Sequence, residues 1–132
     1  MRKGTFSFDK KERIVSRKLI ETLFDGGQSH SVAAFPLRSV YMTYERQDGQ
    51  QPVEVLISIP KKRLHHAVDR NRVKRQVREA FRRQKHLLTE KVPPTQTVAI
   101  AFIWLTDRLL PSADIESRMK IVLERIGKRV EN

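Results

Sequence analysis

Cysteine is missing altogether from this sequence, so neither a disulfide framework nor a thiolate metal site is open to it. Long apolar runs are missing too. The longest, Val98 to Leu105, falls far short of the roughly 20 residues that a bilayer span requires. The basic start, Met1-Arg2-Lys3, leads into further charged residues rather than an export-type apolar stretch, so the cytoplasm is the expected compartment. Glycine is scarce, at five residues, and none of them builds a phosphate-cradling loop. The 15 acidic residues are scattered, and none stands at metal-ligand spacing from the adjacent pair His65 and His66. A nuclease working through its own side chains needs carboxylates or histidines gathered around a metal or a scissile phosphate. No catalytic residue and no metal ligand is therefore expected in this chain.

What is present is a core and a surplus of positive charge. Hydrophobic residues make up 39%, too many for a disordered chain, and 132 residues suit a single domain. Lysine and arginine total 27, giving a formal net charge of +12. Such a balance predicts a polyanionic partner, and the lack of a spanning segment turns the expectation from membrane to nucleic acid.

Periodicity divides the chain without internal repeats. Residues 1–15 read as an extended N-terminal arm, with Phe6, Phe8 and Ile14 as packing anchors. Ser16 suits a helix cap, and Leu19, Ile20, Leu23 and Phe24 share one helical face before Gly26-Gly27 ends it. Phe35 to Tyr44 and Val53 to Ile59 read as two strands, and the Asp48-Gly49 turn between them suggests an antiparallel hairpin. The longest helix is expected from Ala67 to Leu88, stopped by Pro93-Pro94. Val98 to Leu105 is apolar throughout, as in a central strand covered on both faces. Ser112 is then expected to cap a final helix whose Ile115, Met119, Val122, Leu123, Ile126 and Val130 form one stripe. The order is helix, strand, strand, helix, strand, helix: an α+β chain, folded as an α/β sandwich around one small sheet.

Charge is concentrated on the long helix and its approach. Between Lys61 and Lys91 stand twelve basic residues against Asp69, Glu79 and Glu90. At about 100° per residue, Val73, Val77, Ala80 and Phe81 fall on one side of the helix. Asn71, Lys74, Arg75, Arg78 and Arg82 fall on the other, while Arg70, Arg72 and Arg83 flank the apolar stripe. A merely solvated face would alternate in sign, but here Glu79 alone can pair with Arg75, Arg82 or Arg83. Arginine favours bidentate contact with phosphate, and Asn71 can read a base edge or a ribose hydroxyl. The stripe is a nucleic-acid footprint.

The run from Ala67 to Arg82, with Arg70-Asn71-Arg72 at its head, resembles the RNR signature of the bacterial ribonuclease P protein. Ile57-Ser58-Ile59-Pro60-Lys61-Lys62 resembles the strand end that precedes it in that family, and Arg13, Leu23-Phe24 and Gly27 fit the same layout. The resemblance implies a left-handed strand-helix-strand crossover and a subunit that partners a large catalytic RNA. That RNA, with its own Mg2+, removes the 5′ leader of precursor tRNA; the protein itself binds no cofactor and needs no obligate protein partner. Carried over by position, Lys61, Arg70, Asn71, Arg72, Lys74, Arg75, Arg78 and Arg82 would contact RNA. Ile20, Phe24, Arg38, Ser58 and Lys62 would line the leader-binding cleft. Departures from the family pattern fall at Ile20 and Arg38, where aromatics are common, at Leu56, where glycine is common, and at Pro60.

Two other readings use the same helix. A general RNA-binding module, such as a ribosomal or RNA-chaperone protein, would share the basic stripe but has no need of an open groove beside the sheet. A helix-turn-helix protein would place another helix before the recognition helix, where this sequence has a strand.

Overall fold

The apolar run near the C-terminal third decides the architecture, because a strand with no polar face must be covered on both sides. In the computed structural model, which describes residues 17–25 and 27–131, that run forms β4 (Gln96–Trp104), with Thr97 to Phe102 all buried. Ahead of it come α1 (Arg17–Asp25), β1 (His30–Ala34), β2 (Leu37–Glu45), β3 (Val53–Ser58), α2 (Ala67–Gln84) and α3 (His86–Thr89); α4 (Ser112–Val130) follows. The four strands form one mixed sheet in the order β1-β2-β4-β3. The N-terminal arm, Arg13 and the Ser16 cap lie outside the described residues.

The expected hairpin between β2 and β3 does not form. β2 pairs antiparallel with β4 and β3 pairs parallel with β4, so β4 lies between them. The turn at Asp48-Gly49 exists, with Gly49 at φ 83° and Gln50 N–H bonded to the Gln47 carbonyl at 3.0 Å. Its loop, 46–52, instead straddles the start of β4. Arg46 N–H donates to Thr95 O at 2.8 Å, and Val98 N–H to Pro52 O at 2.9 Å. The arginine's guanidinium binds the carbonyls of Gln96 and Pro93 as well. The physical reason is burial: only the middle position gives β4 cover on both faces. The hairpin partner of β2 is β1, a strand absent from the sequence expectation, joined through the Phe35-Pro36 turn.

Two cores result. On one face Tyr41, Val55, Ile100, Phe102 and Trp104 meet Val73, Val77 and Phe81 of α2 and Ile115, Met119, Leu123 and Ile126 of α4. On the other face α1 sets Leu23 against Val40, Met42, Ala99 and Ala101. Alanines at 99 and 101 leave room for that leucine. Further along this face Tyr44 O–H donates to Glu54 Oε1 at 2.5 Å, and burial first, then this bond, pushes the phenol pKa well above its usual value.

The helices depart from expectation at their ends. α2 stops at Gln84, and the chain restarts as the one-turn α3, which sets Leu88 into the core. Ser112 does not cap α4: Pro111 holds the N-cap position, and Ser112 Oγ accepts from Gln76 Nε2 at 3.0 Å. That bond ties α2 to α4, as do Gln84 Nε2 to Glu116 O and the Arg83–Glu116 ion pair.

Candidate nucleic-acid interface

The apolar stripe of α2 seals its inner side, with Val73, Val77, Ala80 and Phe81 fully buried. Everything opposite is thereby turned outward. Asn71, Arg72 and Arg75 are exposed and Lys74 is half-buried, and none of the four has a partner among the described residues. Val68, 77% exposed, joins Asn71, Lys74, Arg75 and Arg78 around a shallow groove on this surface. Lys61 and Lys62 stand exposed on the tight turn that leads from β3 into the helix. His65 and His66 are exposed beside them.

Not every cation of the stripe is available in the same way. Arg82 is paired with Glu79, and that hydrogen bond holds the Glu79 carboxyl below the usual carboxylate range. Arg70 turns back toward the loop and donates through Nη1 to the carbonyls of Leu64 and His65, both at 2.9 Å. Its first job is to hold the approach to α2. The cations and amide without a partner among the described residues are therefore Asn71, Arg72, Lys74 and Arg75.

The residues expected to line a cleft share one sheet face. Side chains alternate along a strand, so Arg38, Val40 and Met42 face α1, as do Leu56 and Ser58 of β3. Arg38 and Ser58 both pair in register with Ile103, one on each side of β4. Arg38 is exposed and its Nε donates to Ser31 Oγ at 3.2 Å. Ile20 is half-buried and packs against the small core, whereas Phe24 is 46% exposed one turn later. Leu56 and Ser58 remain half-buried because α1 packs over β2 and β4. This leaves an apolar strip with cations at one end: Arg38 across the strands and Lys62 just past β3.

Among the described residues no three His, Asp or Glu side chains gather where a metal ion would bind. No helix is long and apolar enough to cross a membrane among those residues.

The chain is thus an α+β sandwich with the outer basic face of one helix beside a half-covered sheet face. The family comparisons make it specific. The model of the family described as Ribonuclease P matches residues 8–127, and the chain belongs to that family, the protein component of the tRNA-processing ribonuclease P. It is 39% identical over 128 residues to the Ribonuclease P protein component of Porphyromonas gingivalis, covering 96% of this chain and 91% of that one. The component from Idiomarina loihiensis is 28% identical over 127 residues, covering 96% and 93%. Among solved structures, the Staphylococcus aureus RNase P protein superposes with a TM-score of 0.65 at 21% identity, covering 92% of this chain and 98% of that one. The RNase P protein from Thermotoga maritima gives 0.63 at 22% identity, covering 86% and 96%. The sheet and helices described above are thus the family's fold.

Proposed function

We propose that this chain binds the catalytic RNA of ribonuclease P through the outer face of α2 and holds the 5′ leader of precursor tRNA beside α1, assisting endonucleolytic leader removal in the cytoplasm. The observation that carries the reading is the run of Asn71, Lys74 and Arg75, turned outward by a sealed apolar stripe and lacking protein partners among the described residues. RNA phosphates relieve the mutual repulsion of these cations and release counterions as they do so. Lys61 extends the contact at the head of the helix, and Arg78 and Arg82 continue it.

The leader is single-stranded, and a half-open apolar strip with cations at its end suits such a chain. Phe24 offers a ring for base stacking, and Arg38 offers a guanidinium where an aromatic platform would otherwise stand. Ser58 and Lys62 bond to ribose or phosphate on the β3 side. Holding the leader raises substrate affinity without any chemistry by the protein. Hydrolysis belongs to the RNA and its Mg2+, and the protein's role is electrostatic and positional.

The test is cleavage of precursor tRNA by ribonuclease P RNA at low Mg2+, with and without this chain. Cleavage that requires both is the expected result, with Arg38→Ala impairing leader-bearing precursor more than mature tRNA binding. Cleavage by the chain without RNA would overturn the non-catalytic assignment. RNA binding that never supports cleavage would favour a general RNA-binding module.

A further inference from the structure

We infer that the free edge of β1, together with the α4 arginines laid along it, forms a second RNA-contact surface that grips a phosphodiester backbone on the opposite edge of the sheet from β3 and α2. The inference rests on the function proposed above.

The surface is built by register. Ala34 pairs with Leu37 across the two-residue turn, so alternate carbonyls of β1 point away from β2. Those of Ser31 and Ala33 are the outward set, and the Phe35 carbonyl follows them in the turn. Each receives an arginine from α4: Arg129 Nη1 to Ser31 O at 3.3 Å, Arg125 Nη1 to Ala33 O at 3.4 Å, and Arg118 Nε to Phe35 O at 2.9 Å. Positions 118, 125 and 129 fall on one helical stripe, which runs beside the strand. One carbonyl occupies only part of a guanidinium's five donors, so each arginine is fixed in place with donors to spare.

Edge masking alone does not require this much charge; a neutral amide would cover the carbonyls. Arg125 and Arg129 are exposed, and none of the three makes an ion pair with a carboxylate among the described residues. Asp114, one turn before Arg118 on the same side, makes none with it. Arg82 and Arg83, by comparison, each face a carboxylate, that of Glu79 and of Glu116. The ladder also runs into a concavity of about 500 Å³ lined by His30, Tyr41, Thr43, Gln96 and Arg129. That size falls within the ~300–1,000 Å³ of small-ligand sites. There the exposed His30 ring, backed at 5.5 Å by the buried Tyr41 ring, offers one aromatic face in the same concavity as the Arg129 guanidinium.

The phosphodiester chain is either the catalytic RNA or the precursor tRNA, and two arms separate them. Binding of the chain to ribonuclease P RNA, and of the assembled holoenzyme to precursor tRNA, is measured across a salt series. The protein carries Arg125→Gln with Arg129→Gln, or Lys at both positions. Glutamine keeps a donor for the edge carbonyls while removing the charge; lysine keeps both. The Gln pair is expected to weaken one arm about tenfold and to flatten its log–log salt slope by about 1.5, with recovery in the Lys pair. The arm affected names the RNA. Unchanged affinity and slope in both arms would reduce the ladder to a cover for the strand edge. Wild-type protein with no affinity for either RNA would instead bring down the function proposed above, and Lys74→Gln with Arg75→Gln serves as the α2 control.

Discussion

Arg70 and Arg75 lie little more than a turn apart on α2, yet they do different physical work. Arg70 donates to two loop carbonyls, whereas Arg75 projects outward with no partner among the described residues. Removing a charged donor from one part-buried and one exposed carbonyl costs about 1 kcal/mol. Arg70→Ala is therefore expected to lower Tm by several degrees in a thermal melt. Arg75→Ala should leave Tm unchanged and flatten the salt dependence of RNA binding by about one contact. Equal melting temperatures for the two variants would remove the structural role from Arg70. The sequence placed Arg75 on the basic side and Arg70 beside the apolar stripe, but it did not show their division of labour. It depends on the path of residues 60–66, which the tight turn at Pro60 sets.

At the scale of elements, α3 and α4 meet through a glycine. An ideal Cβ at Gly127 would sit 3.1 Å from the Leu87 carbonyl and 3.2 Å from Lys91 Cγ. Glycine inside a helix costs about 1 kcal/mol relative to alanine, so its use here reflects that close approach. Gly127→Leu should push α3 off α4 and lower Tm by several degrees, measured by calorimetry; an unchanged Tm would show that α3 yields freely. The end of α2 has a related cause. The helical pattern runs on toward Leu88, but the chain must break at Gln84 and Lys85 so that Leu88 can enter the core beside α4. Periodicity could not reveal this, because Leu88 satisfies either a continued helix or a new turn.

Across the whole molecule, a net charge of +12 sits on a fold with two cores and one sheet. Self-repulsion of that charge works against compactness, and a bound polyanion relieves it. Ribonuclease P RNA at about a hundredfold excess over Kd should raise Tm by roughly 10 °C, with the rise shrinking as salt increases. A salt-independent shift, read by a dye-free melt, would point to contacts other than phosphate.

The sequence by itself determined the long helices, the central burial of β4, the basic stripe of α2 and, through the run around Arg70-Asn71-Arg72, the family. These are local properties, set by period and by charge within a few turns. Tertiary structure alone decided that β3 pairs with β4 rather than β2, that β1 exists as an edge strand, and that Arg38 and Ser58 share a row with Ile103. It also decided the arginine ladder, whose acceptors are carbonyls more than 80 residues away in the chain. Strand order is a competition for cover, and a strand apolar on both faces wins the centre wherever its neighbours fall in sequence. Backbone acceptors carry no side-chain signal, so only the folded sheet reveals which of them remain open.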